Sequence, residues 1–255
     1  MTRASTALVL VYGPAGSGKT TLTWKFCEWC CRHAEWKVAS VNFDPAVINL
    51  PYKPIFDIRN YVTAKEIMEK YNLGPNGGII RAVEESKKYL NKLYNALEEA
   101  SYDYVFIDTP GIMEVFIGRE TGREIIDELL KRYDVFGLFI MDASIITRPS
   151  EYVYFKNLYV LSGLKLGIPS IPVWNKVSSA TQVFKQVDQL NADKLIDALT
   201  LEPGLYTDAA IELVKLIHKL ESAVRFLKVD ALTYKGFEDI CAALSEVYCT
   251  CGDLT

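Results

Sequence analysis

The chain has 255 residues, half of them apolar, and its 28 basic against 32 acidic side chains give a formal charge of −4. A chain of this length can bury a sizeable core, and the interspersed charges argue against a surface dedicated to nucleic acid. Apolar runs such as "ALVLVY" and "VFGLFIM" are strand-sized and too short to cross a bilayer.

Taken in chain order, "ALVLVY" at residues 7–12 reads as a first strand. It lacks a cleavage site and leads straight into a glycine loop, so a signal peptide is not expected; the expectation is a cytoplasmic protein without membrane or direct nucleic-acid contacts. The loop "GPAGSGKT" comprises Gly13, Pro14, Ala15, Gly16, Ser17, Gly18, Lys19 and Thr20, with Thr21 next, and it opens a helix. That is G-x-x-x-x-G-K-[ST] in its strand–loop–helix setting. Such glycines let backbone N–H groups converge on phosphate oxygens, and the helix N-terminus adds positive partial charge. Lys19 is assigned to the β- and γ-phosphates and Thr20 to Mg²⁺. In the helix, Leu22, Phe26, Trp29, Cys30 and His33 follow a 3.6-residue period, so "KFCEWCCRH" reads as a buried face rather than a metal site.

Further apolar runs at 38–43, 104–107, 135–141, 168–174 and 225–229 alternate with helical stretches. They predict an α/β fold, a doubly wound and mostly parallel sheet of the P-loop NTPase kind. One domain is expected over 1–255, with a short tail at about 249–255. Between the second and third strands, at about 51–100, lies a helical insertion too long for a simple crossover. In it Thr63 and Glu66 have capping-box spacing. The breaker-rich "LGPNGG" follows, then a helix expected over 79–100 with a stripe of Ile80, Val83, Leu90, Leu93 and Leu97.

Three strand ends carry chemistry. "VFID" delivers Asp108 to the carboxyl edge of the sheet, where it can support Mg²⁺, and Thr109-Pro110-Gly111 can sense the γ-phosphate. "VNFDPA" places Asp44 where a carboxylate could orient the attacking water. "VWNKVSS" looks like a base-reading N-K-x-D with Ser178 at its fourth position, which should weaken guanine preference; after the last strand, the N–H groups of Ala231 and Leu232 could contact the base.

Together "GPAGSGKTTLT", "NFDPA", "LPYKPIFDIRNYVT", Gly74-Pro75-Asn76, "DTPG", Asn175-Lys176 and "ALTYKGFEDI" resemble the GPN-loop GTPase family, its archaeal members most closely. The resemblance implies a Mg²⁺-dependent GTPase that converts GTP to GDP as a homodimer. It further implies that the Gly-Pro-Asn loop crosses the dimer interface, so that Asn76 reaches the partner's phosphates, and that a protein client of an assembly pathway is possible. Gly77 and Gly78 are read as freeing the loop and Pro75 as stiffening it. Two positions depart from the family pattern around the base: Ser178 replaces aspartate, and Asp230 stands where serine is common. Ile112 replaces a common glutamine, leaving water positioning to Asp44, Glu114 or the partner copy of Asn76. Other readings of the P-loop are a metallochaperone using Cys27 and Cys31, or a small-molecule kinase with Arg119, Arg123 and Arg132 as lid candidates.

Overall fold

A computed structural model describes residues 6–202, 204–221 and 224–252. The strands are β1 (Ala7–Tyr12), β2 (Val38–Asn42), β3 (Phe56–Asp57), β4 (Tyr104–Asp108), β5 (Asp134–Asp142), β6 (Ser170–Asn175) and β7 (Leu227–Lys228). All pair in parallel, in the order β3-β2-β4-β1-β5-β6-β7. Every residue of β1 and β4 is buried, as continuous apolar runs require when helices cover both faces of a sheet. The two-residue β3 was not foreseen; it joins the edge by pairing Val41 with Phe56 and Asn42 with Asp57.

The helices are α1 (Lys19–His33), α2 (Ala64–Tyr71), α3 (Pro75–Ser86), α4 (Leu90–Glu98), α5 (Met113–Phe116), α6 (Glu120–Leu130), α7 (Pro149–Leu166), α8 (Gln182–Val187), α9 (Ala192–Thr200), α10 (Thr207–Glu221) and α11 (Phe237–Gly252). On one face of the sheet α1 and α11 bury Leu22, Phe26, Cys30, Phe237, Ile240 and Leu244. The opposite face is covered by the insertion helices together with α6 and α7. The stripe expected on α1 is therefore real at Leu22, Phe26 and Cys30, but His33 is exposed and leans on Trp29, 5.2 Å between ring centroids.

The insertion differs from its expected form in an informative way. The capping box forms as read: Glu66 N–H donates to Thr63 Oγ1 (3.2 Å) and Thr63 N–H to Glu66 Oε2 (3.1 Å). After α2 ends on left-handed Asn72, however, Gly74 is the N-cap of α3, and Pro75 and Asn76 are already helical. Proline suits the first helical turn because its missing N–H has no intrahelical acceptor there. The expected single helix over 79–100 is thus two helices, α3 and α4, joined by a 3₁₀ turn at Lys87–Tyr89. Gly78 is buried, and a Cβ there would run into the Met68 side chain. Its smallness lets α2 and α3 pack closely, so this glycine serves packing, not a bendable loop.

The sheet register brings the chemistry to one edge. Asp108 is level with Val11 and Asn42, while Asn175 is level with Asp142. The loops after β1, β2, β4, β5, β6 and β7 consequently meet at the carboxyl ends of the strands, where ligands of open α/β sheets bind.

Candidate nucleotide site

The loop between β1 and α1 turns on residues with backbone conformations that L side chains rarely adopt: Gly13 at φ +141° and Gly18 at φ +95°. A Cβ on Gly13 would meet the Ile140 carbonyl oxygen, and one on Gly18 would meet Asn175 Nδ2. Glycine is therefore required where the loop presses on β5 and on the loop after β6. No acidic residue stands in the first turn of α1 and no side chain caps it, which leaves its positive pole directed at the loop. Lys19 is buried, and its ammonium donates to the carbonyls of Gly13 (2.9 Å) and Pro14 (2.8 Å). Burial lowers its pKa, against the opposing pull of Asp108 and Asp44.

Asp108 closes β4 at 1% exposure. One oxygen accepts from the Tyr52 hydroxyl at 3.2 Å; the other, Oδ1, is buried without a partner in hydrogen-bond geometry. Burial raises its pKa to about 7, the Thr20 hydroxyl beside it favours the charged form, and the Asp44 charge raises the pKa further. A hydroxyl, an unsatisfied carboxylate oxygen and a lowered dielectric fit a hard, oxygen-seeking divalent cation such as Mg²⁺. Thr20 and Asp108 are the residues that would hold it. Among the described residues no group of three or more His, Cys, Asp and Glu side chains is placed to hold a metal ion. Cys27 is instead an inert thiol pushed up to about 12 by burial.

Asp44 links two loops. Its Oδ1 accepts from Ala46 N–H (2.8 Å) and its Oδ2 from Gly111 N–H (3.2 Å), and burial raises its pKa. The D-T-P-G turn thus hangs on Asp44 at Gly111. Thr109, expected to help sense a γ-phosphate, is buried with its hydroxyl on the Val11 carbonyl at 3.0 Å, so it anchors the turn to β1. Ile112 is half-buried against the core, and the side chain of Glu114 lies outside the described residues. Asn76 is exposed at the N-terminal turn of α3. That helix packs on α2 and on α5, the short helix following D-T-P-G.

At the other end of the site both polar atoms of the Asn175 side chain are engaged. Its Nδ2 donates to the Ser17 carbonyl (2.9 Å) and its Oδ1 accepts from Ala231 N–H (3.1 Å), tying the P-loop to the loop after β7. Lys176, in the left-handed region at φ +61°, lays its ammonium across the P-loop onto the Gly16 carbonyl (2.7 Å) and Asp142 Oδ2 (2.5 Å). The expectation that the N–H groups of Ala231 and Leu232 face a base is corrected here. The first is bound to Asn175 and the second to Asp230 Oδ1 (3.1 Å), because the chain turns back toward Lys235 immediately after β7. Of the three lid candidates, Arg123 is held by Asp127 and the Leu166 carbonyl, and Arg132 lies over Tyr94 near Glu98; Arg119 is exposed.

Sequence reasoning missed Tyr52 and Asp142. Asp142 follows the same rule that found Asp108, an acidic residue ending a buried apolar strand. Tyr52 gives no such signal. It is presented by a loop that Arg59 braces by donating to the Ile48 carbonyl (2.9 Å) while paired with Asp57, itself held by Asn42 (2.8 Å).

Comparison with known proteins places this geometry. A family model described as a conserved hypothetical ATP-binding protein matches residues 11–250. GPN-loop GTPase PAB0955 of Pyrococcus abyssi is 38% identical, covering 97% of this chain and 100% of its own length. The chain belongs to the GPN-loop GTPase family. GPN-loop GTPase 1 of Dictyostelium discoideum is 30% identical over 91% of this chain, which spans 59% of that longer relative. The crystal structure of the Pyrococcus abyssi GTPase superposes with a TM-score of 0.83 at 34% identity, covering 96% of this chain and 98% of that one. The family resemblance and the α/β P-loop NTPase fold read from the motifs are both borne out.

Proposed function

We propose that this family member hydrolyses GTP to GDP and phosphate with Mg²⁺, as a homodimer whose copies complete each other's sites. The observation that carries the reading is buried Lys19 and Asp108, with the half-buried Thr20 hydroxyl beside the carboxylate, set against the N-terminus of α1. When bound, Mg²⁺ supplies charge neutralisation at the β- and γ-phosphates. Backbone N–H groups among residues 15–21 cradle the phosphates, and Lys19 stabilises the charge that develops as the γ-phosphoryl leaves. Asp44 holds Gly111 and keeps lone pairs free to orient the attacking water, a role in which Glu114 is its alternative. Loss of the γ-phosphate relaxes the Asp44–Gly111 link, and α5 passes the change to α3, which carries Asn76.

Asn76 supports the trans arrangement by its place. It is polar, uncharged and exposed on a helix terminus fixed by Pro75, and it has donor and acceptor to offer a second copy. A protein client is supported by an apolar groove of about 570 Å³ that starts at Pro14 and Ala15. It runs past Ile112 and Met113 to Tyr154 and Leu161, where a bound partner would feel the nucleotide state. No described helix is long and apolar enough to cross a membrane, and we place the activity in the cytoplasm.

The test is GTP turnover with Mg²⁺ for wild type and Asn76→Ala, alongside the solution mass in GDP and in a non-hydrolysable GTP analogue. The variant is expected to bind nucleotide normally and to turn over at least about tenfold more slowly, and the GTP form to have the mass of two chains. Equal turnover removes Asn76 from the mechanism, and a single-chain mass in every nucleotide removes the trans site.

A further inference from the structure

The two departures around the base, Ser178 and Asp230, lie 52 residues apart in sequence and touch in the fold: Ser178 N–H donates to Asp230 Oδ2 at 3.2 Å. Asp230 is 6% exposed and begins the loop after β7. Its Oδ1 accepts from the N–H groups of Leu232 (3.1 Å) and Thr233 (3.3 Å). An ionised carboxylate has about four acceptor directions. Three are taken, and one remains on Oδ2, the oxygen that Ser178 N–H reaches.

The other carboxylates near this edge are already neutralised. Asp142 is paired with Lys176, and Asp188 with Lys228. Among the described residues no basic side chain pairs with Asp230. The next residue, Ala231, is clamped by Asn175, which in turn holds the P-loop at Ser17, so Asp230 has a fixed position relative to the phosphate cradle.

We propose that Asp230 is the specificity-determining residue for the base: its Oδ2 accepts from the N1–H and N2–H₂ edge of guanine, the task for which position 178 has only a serine. The carboxylate has moved across the Ser178–Asp230 contact from one loop to its neighbour. Adenine presents a ring-nitrogen lone pair where guanine presents N1–H, so the same oxygen repels it. Charge-assisted hydrogen bonds of this kind are among the stronger ones in proteins. The inference rests on the GTP reading above and names the group that makes it selective.

The experiment is displacement of a fluorescent GDP analogue by GTP, ATP and XTP at fixed Mg²⁺, with folding of each variant followed by circular dichroism. Wild type is expected to prefer GTP over ATP. Asp230→Ser is expected to lose about 10–100-fold of that preference, chiefly through weaker GTP binding, and adding Ser178→Asp to it is expected to restore the preference. Asp230→Asn keeps the side chain's shape and carries the test should the serine variant not fold. Its amide can donate to the carbonyl that xanthine has at C2, so XTP binding is expected to rise at least about tenfold over wild type. A residue that only braces the loop would lower GTP and ATP binding together, and Ser178→Asp would not restore selectivity. A folded Asp230→Ser that keeps the wild-type preference, or a folded Asp230→Asn that gains no XTP binding, overturns the proposal and leaves the GTPase reading intact. Wild type binding ATP as well as GTP overturns the guanine reading itself.

Discussion

At the phosphate end of the site, eight consecutive residues from 13 to 20 supply nearly everything: the left-handed glycines, the helix terminus, the lysine and the hydroxyl. At the base end, the equivalent work is divided among loops after β5, β6 and β7, and single side chains bridge 34 to 158 residues of sequence. A contiguous motif pays its ordering entropy once, within a strand–loop–helix unit. A dispersed cluster exists only after the sheet has assembled its register. The phosphate end should therefore tolerate loss of its chemistry without loss of its shape, whereas the base end should lose both together.

The largest effect is expected at the phosphate end. Lys19→Ala removes the buried ammonium that bonds the Gly13 and Pro14 carbonyls of the loop, and turnover of GTP should fall by about 10²–10³-fold or more. Its partners are two carbonyls of its own loop, and what those bonds contribute is offset by the cost of keeping the ammonium buried, the same burial that lowers its pKa. Stability to urea should therefore change little. A variant that unfolds several kcal/mol earlier would show that the ammonium is structural, and the contrast between the two ends would fail there.

Asn175→Ala probes the other side with a smaller loss of activity and a larger loss of stability. The substitution leaves the Ser17 carbonyl and the Ala231 N–H buried and unpaired, at about 1–3 kcal/mol each. Urea denaturation should register a loss of about 2 kcal/mol or more. Nucleotide affinity should weaken by about 10–100-fold, because the P-loop and the loop after β7 are no longer tied. Unchanged stability with weakened affinity would instead mean that Asn175 acts on the ligand directly.

The same contrast explains what is legible in the sequence alone. The P-loop was legible because its hydrogen-bond logic is local, and Asp108 and Asp44 because an acidic residue after a buried strand must arrive at the sheet's carboxyl edge. The stripe from Val83 to Leu97 was legible too, but not its division at Lys87–Tyr89, which interrupts the helix without removing the apolar period. Composition alone makes the Gly-Pro-Asn segment a loop. Gly-Pro at a helix start and glycine at a tight helix crossing have the same composition, and only the packing of Met68 against Gly78 tells them apart. The N–H groups of Ala231 and Leu232 look available to a base in the sequence, but Asn175 and Asp230 claim them in the fold. Such pairings are set by register between strands, which no local pattern encodes.

The most gradual expected effect concerns proton binding at the phosphate end. Asp108 has its pKa raised to about 7 by burial, against about 3.9 for an unfolded aspartate, and burial also raises Asp44. Between those two values the folded chain binds more protons at Asp108 than the unfolded chain. Its contribution to stability is thus fully present below about pH 4 and is lost as the pH rises through about 7. Without Mg²⁺ and nucleotide, unfolding free energy from urea titrations should therefore decline between pH 5 and pH 8. In Asp108→Asn, whose side chain has no proton to lose, the decline should be shallower. Equal slopes in the two proteins would place the titration elsewhere. A shallower slope would identify a carboxylate that stays uncomfortable when ionised until a cation meets its unsatisfied Oδ1, so that the sheet register holds a cation-seeking group in place in advance of its ligand.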